Sequence, residues 1–209
     1  MWVYTLPMFP LGNVVFPHMM LPLHIFEERY RTLMEDVYQG DGLHEFGVVL
    51  IERGSEVGGN DERTSVGTAV RILDAERLDD GRWVVVSAGV RRIRVLKWLE
   101  ESPYPRASVE DVKDLEPGAD IDELRSEVVA RLRQVAARQA ELGDAGLPVD
   151  FELSPDPTVA SFQACAVSPI GPLDAQQLLV IDDPGVRLRE LHTLLVEQLD
   201  TLELRLSQG

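Results

Sequence analysis

The sequence predicts an α+β protein, with a mainly antiparallel β domain over residues 1–116 and an α-helical domain over 117–209. Three observations predict it. Runs rich in Val and Ile, separated by turn signals, fill the region up to residue 113. The apolar spacing changes to a helical period near residue 120. Between two of the early runs stands Asp80-Gly81, a strong hairpin signal. Many non-local strands with an alternating pattern suggest a barrel or rolled sheet.

Taken in chain order, the first element is the least regular. Residues 9–30 read FPLGNVVFPHMMLPLHIFEERY, with Pro10, Pro17 and Pro22 set in an apolar stretch. Proline fixes φ and removes a backbone donor, so this segment is expected to wrap across a barrel end rather than join its central ladder. Phe9, Leu11, Val15, Phe16, Leu23 and Phe26 are numerous enough to cap a core. A helix follows over 27–39, where Tyr30, Leu33, Met34 and Val37 form one stripe and Gly40 and Gly42 supply the stop. FGVVLIER (46–53), SVGTAVRILDAERL (65–78) and GRWVVVSAGVRRIRVLKWL (81–99) read as strands, with turns expected at SEVGGND and DDG. PRASVEDV (105–112) is a further strand.

From 120 the pattern is helical. Asp120 precedes Glu123 by three residues, the spacing of a capping box, and Leu124, Val128, Leu132 and Val135 carry the stripe to about 142. GDAGLPVD reads as a linker. Ser154-Pro155 offers an N-cap followed by proline at the first helical position, opening a helix that carries Cys165. Another short helix runs from Pro172 to about Ile181, and Asp183-Pro184 repeats the cap signature. The last helix aligns Leu188, Leu191, Leu195, Leu199, Leu202 and Leu206 on one face. That face suits an intramolecular bundle, the favoured reading, and also pairing with another chain.

Composition narrows the function. The chain is 44% apolar and 27% charged, as soluble globular proteins are, and carries a net charge of -16. Through residue 113 there are 13 basic against 18 acidic residues, and from 114 onward 7 against 18. Acidic surface repels phosphate backbones and anionic lipid, so nucleic acid and membrane are poor partners. The amino end has no basic residue before its apolar stretch, so it is not expected to be a signal peptide, and no run is long enough to span a bilayer. A cytoplasmic location is the expectation.

No catalytic constellation is found. There is no GxxxxGK[ST] loop and no GxSxG serine. His44-Glu45 begins like a zinc-protease helix, but Val48 stands where the second histidine is needed. The four histidines, at 18, 24, 44 and 192, are scattered, so no metal or cofactor is expected. The single cysteine, Cys165, sits in QACAV, where packing outweighs nucleophilic chemistry as its role. The basic run RRIR (91–94) lacks interleaved aromatics and reads as strand-edge and surface charge.

With active-site options exhausted, the amino-terminal stretch carries the most information. LPMFPL (6–11), VVFP (14–17), LPLHIFEERY (21–30), FGVVLI (46–51), VGTAVRI (66–72) and AGVRRIRV (88–95) occur in this order. The series, over about residues 3–113, resembles the LON N-terminal domain, the substrate-binding domain at the head of Lon proteases and in the ubiquitin-ligase adaptor cereblon. The resemblance implies a PUA-like pseudo-barrel with an attached helical bundle, and recognition of unfolded or degron-bearing protein segments. Lon proteases continue into ATPase and Ser–Lys protease modules, which this sequence lacks, so a standalone, non-enzymatic LON-domain protein is expected. Where relatives often have glycine after the FP, this chain has His18-Met19-Met20.

Methionine is unbranched and polarisable, which suits surfaces that accept varied apolar partners. The candidate protein-binding residues are therefore Met19, Met20, Leu21, His24 and Phe26, with Met19-Met20-Leu21 as part of an exposed apolar patch. The expected partners are polypeptide clients and a separate protease or chaperone that receives them. Two alternatives come from other classes: an RNA-binding PUA-like protein, and a cryptic hydrolase using Cys165 or a carboxylate pair.

Overall fold

The structure, a computed structural model, describes residues 2–40, 42–54, 62–144, 147 and 151–208. The chain divides into two compact units, Met1–Lys113 and Asp114–Gly209.

The first unit holds strands β1 (Val3–Pro7), β2 (Met20–Ile25), β3 (Glu45–Arg53), β4 (Glu62–Arg77), β5 (Trp83–Trp98) and β6 (Arg106–Val112), with helix α1 (Glu28–Tyr38) between β2 and β3. The sheet is antiparallel in the order β1-β6-β5-β4-β3, and β2 pairs with β5. Just after β1, Met8 and Leu11 bridge Gly47 and Leu50 of β3 in parallel, so the first strand's continuation reaches the last strand of that order. The β4–β5 hairpin turns at the foreseen place. Gly81 takes φ +82, in the left-handed region, so the conformation favours glycine, while the nearby Arg31 guanidinium could swing aside for a Cβ.

FGVVLI is a continuous apolar run because β3 is buried on both faces. Phe46 and Val48 join a cluster with Phe9, Val15, Tyr30, Leu33, Met34, Val70, Trp83 and Val85, whereas Val49 joins Leu6, Met8, Ala69, Ile93, Ala107 and Val109. Strand alternation sends neighbours to opposite sides, and here both sides are dry. Helix α1 supplies the first cluster with Tyr30, Leu33 and Met34, as its stripe foretold.

The proline-rich stretch departs from expectation. Residues 20–25 do join a ladder, with Pro22 opposite Val86 of β5. Proline is tolerated because, among the described residues, β2 has only one neighbouring strand, and the missing N–H faces away from it. β1, which the sequence reading did not identify, pairs with β6 from Val3↔Glu110 to Pro7↔Arg106. The turn before β2 keeps a tight path without glycine. His18 adopts φ +65, in the left-handed region, and Met19 N–H reaches Phe16 C=O at 3.2 Å. A residue with a Cβ adopts that conformation at a cost of about 1–2 kcal/mol. The expected turn at 55–61 lies outside the described residues, as does most of the 143–150 linker.

The second unit holds α2 (Ile121–Glu141), α3 (Pro157–Val167), α4 (Pro172–Val180) and α5 (Pro184–Gln208). Leu188, Leu191, Leu195, Leu199 and Leu202 of α5 are buried, as are Val128, Leu132 and Val135 of α2, and α5 packs on α2 and α3. The leucine face is thus covered within the chain. Two caps differ from expectation. Asp120 makes no side-chain cap, because its carboxylate is taken by Arg189 at 2.8 Å. α3 opens at Asp156-Pro157 rather than Ser154-Pro155: Asp156 Oδ1 accepts from Val159 N–H at 3.0 Å, and Ser154 Oγ accepts from Asp156 N–H. Asp183 caps α5 as foreseen, accepting from Gly185 and Val186 N–H.

Candidate functional site

Strand alternation sorts the five predicted binding residues into two groups. Met20 and Phe26 are 53% and 61% exposed, and His24 is exposed with them. Met19 and Leu21 instead lie half-buried against the first core cluster, with Leu23. The Met19-Met20-Leu21 triplet is therefore not one continuous patch. Its members point alternately in and out, as period-two geometry requires. Phe26, expected among the core-capping side chains, stands on the surface.

The outward face extends across three strands. Met20 lies opposite Ala88 of β5, Pro22 opposite Val86 and His24 opposite Val84. On the far side of β5, Ala88 faces Arg71 of β4, Val86 faces Asp74 and Val84 faces Glu76. Val86 is 38% exposed, and Leu73, at the irregularity between Ile72 and Asp74, is 57% exposed. Met20, Pro22 and Val86 thus form an apolar strip with an acidic border at Asp74 and Glu76, and the exposed Phe26 follows directly on the end of β2. Val86 and Leu73 were missed from sequence. Val86 had a signal, the alternation within WVVVS, but Leu73 owes its exposure to the irregularity, which no residue announces.

The basic run 91–94 carries surface charge at Arg94, which is exposed, but it is not at a strand edge. It lies in β5, which is flanked by β4 and β6, and Arg92 is fully buried with Nη2 donating to Lys113 C=O. Arg91 donates to Glu45 Oε2, Asp111 Oδ1 and Tyr4 Oη, each at 2.8 Å, and Arg94 pairs with Glu110. Burial, helped by the Asp111 carboxylate, pushes the Tyr4 hydroxyl up to about 12. Arg91 and Arg94 are thus paired with carboxylates within the fold.

Cys165 is buried in α3, and burial pushes its thiol up to about 12. A nucleophilic cysteine needs the thiolate, which this burial disfavours. Among the described residues, no group of three or more His, Cys, Asp or Glu is placed to hold a metal ion. No helix among them is long and apolar enough to cross a membrane. In the second unit a groove of about 540 Å³ lies between α2 and residues 151–155, lined by Arg125, Val129, Arg133, Phe151 and Leu153 among others. Arg125 is held there by Ser154 and Pro155 C=O and by Asp122. None of the five predicted residues lines it.

Comparison with known proteins fits this geometry. The family described as the ATP-dependent protease La (LON) substrate-binding domain matches residues 5–197. A Lon protease of Koribacter versatilis is 25% identical over 96% of this chain, and the chain spans about a quarter (25%) of that relative's length. Among solved structures, a Lon N-terminal domain protein from Xanthomonas campestris is similar with a TM-score of 0.64 and 26% identity, covering 90% of this chain and 96% of that one. The N-terminal domain of a Mycobacterium avium complex Lon protease shares the fold, with a TM-score of 0.67 at 20% identity over 94% of this chain and 98% of that one.

Proposed function

Because the chain belongs to the LON substrate-binding domain family, we propose that it is a non-catalytic module capturing apolar segments of unfolded or degron-bearing polypeptides on the outward face of β2 and β5. The observation that carries the reading is the exposure of Met20 and Phe26, at 53% and 61%, on a sheet whose other faces are buried in two core clusters. Exposed apolar side chains grouped with a polar border mark interaction surfaces rather than core. Met20, His24 and Phe26 contact the client, and Met19 and Leu21 support the strand from beneath. The bridges from Met8 and Leu11 to β3 support a PUA-like pseudo-barrel over residues 1–116, and the covered leucine face of α5 supports a helical bundle over 117–209. The net charge of -16 favours basic clients and a cytoplasmic module that avoids nucleic acid and membrane, with a separate protease or chaperone receiving the client.

The test is fluorescence anisotropy with reduced, carbamidomethylated lysozyme, a permanently unfolded and basic polypeptide. Met20→Ser combined with Phe26→Ser is expected to weaken binding about tenfold, equivalent to about 1.4 kcal/mol. Stability should change by only about 0.5 kcal/mol, because both side chains are already in water. Met19→Ser should instead lower stability by about 1–2 kcal/mol, since it removes part of a core contact. Unchanged binding in the double variant would overturn the assignment.

A further inference from the structure

Among the described residues β2 is paired on one side only, with β5. Just before it, Met19 C=O accepts from Gly89 N–H at 2.9 Å. In an antiparallel ladder successive residues turn their backbone groups alternately toward the partner and away. Met19 fixes the parity, so Leu21, Leu23 and Ile25 face β5, and Met20, Pro22 and His24 present theirs to the open side. Pro22 fits this assignment, because its missing N–H breaks no bond to β5. The open edge therefore offers two N–H groups, from Met20 and His24, and three C=O groups, from Met20, Pro22 and His24.

We propose that this edge takes a basic, apolar segment of the client as an added β-strand, a mode of capture that rests on the reading above and specifies it. Main-chain bonds bind any extended sequence, and alternate side chains of the added strand fall on the same face as Met20, Pro22 and His24. That face continues to Val86, so apolar residues on the same face of the added strand are favoured, and the net charge of -16 favours Lys or Arg at its other positions. The occupant is a foreign chain rather than a second copy. Self-pairing would set two proline-bearing edges together and lose two N–H donors, whereas a client loses one. Pro22 also keeps the pairing short, which suits transient holding and guards against edge-to-edge aggregation.

The test uses the intact protein with a ten-residue peptide alternating Val and Lys, and the same peptide N-methylated at each Val. Residue-resolved amide exchange by NMR is the readout. At saturation the Met20 and His24 amides should slow about tenfold, with Leu21 and Leu23 unchanged, and N-methylation should weaken binding about tenfold. Saturable binding that leaves Met20 and His24 unprotected and ignores N-methylation would overturn strand addition while leaving apolar capture standing. Failure to bind either peptide, together with failure to bind unfolded lysozyme, would overturn both readings.

Discussion

Replacing Arg187 by Ala is expected to destabilise the helical unit by about 3–5 kcal/mol, the range for breaking a buried ion pair from one side. Arg187 is fully buried near the start of α5 and ties four elements of its unit together. Its guanidinium donates to Asp114 Oδ1 and Ile181 C=O at 2.5 Å, to Ser161 Oγ at 2.6 Å and to Leu178 C=O at 3.3 Å. The Phe162 ring centroid lies 3.8 Å from Arg187 Cζ, so the charge also gains a cation–π contact. Truncation strips two carbonyls and a carboxylate of this donor and opens a cavity. Arg187→Met, which refills the volume but not the bonds, should recover only a minor part of the loss. Urea denaturation followed by circular dichroism reads the effect, and a loss below about 1 kcal/mol, typical of an exposed pair, would contradict it.

The second large effect is expected at Gly89, where Ala should cost about 1–3 kcal/mol and disturb the start of β2. A Cβ at Gly89 would lie 2.2 Å from Phe16 C=O, and the obstacle is backbone, which cannot rotate away. The same glycine accepts from His18 N–H and donates to Met19 C=O, both at 2.9 Å. Pushing residues 16–19 outward shifts the turn that sets β2's register, and with it the direction in which Met20 and Met19 point. Gly89→Ala should therefore lower thermal stability and weaken capture of unfolded lysozyme together. Met20→Ser with Phe26→Ser affects binding alone, so the two variants separate a misplaced strand from a missing contact. A Gly89→Ala protein with wild-type stability would show that the segment is not held against β5.

Much of the fold was legible because local signals agreed with it. The stripe Tyr30, Leu33, Met34 and Val37 became α1, the Asp80-Gly81 pair became the β4–β5 hairpin, and the spaced leucines of α5 became its buried face. What failed depended on long-range partners. β1 shows a single fully buried residue, Leu6, before Pro7, too little pattern to separate strand from coil. Pro22 read as a strand breaker because edge position is a property of the sheet, not of the residue. Asp120 and Ser154 matched cap signatures, but Arg189 drew the first away, and a second Asp-Pro signature two residues on displaced the other. At the candidate site, exposed apolar residues were foreseen between prolines. Which of them face outward was not, since parity follows from β2 pairing with β5 and from the turn at His18.

The most direct measurement places a photocrosslinking amino acid at Phe26 in one protein and, as a comparison, at Leu204, an equally exposed apolar position of α5 at 62%. Each is irradiated with unfolded lysozyme and the covalent product is quantified. Capture on the outward face of β2 and β5 requires strong crosslinking through Phe26 and little through Leu204. Equal yields at the two positions, or a product at Leu204 alone, would contradict that placement of the client.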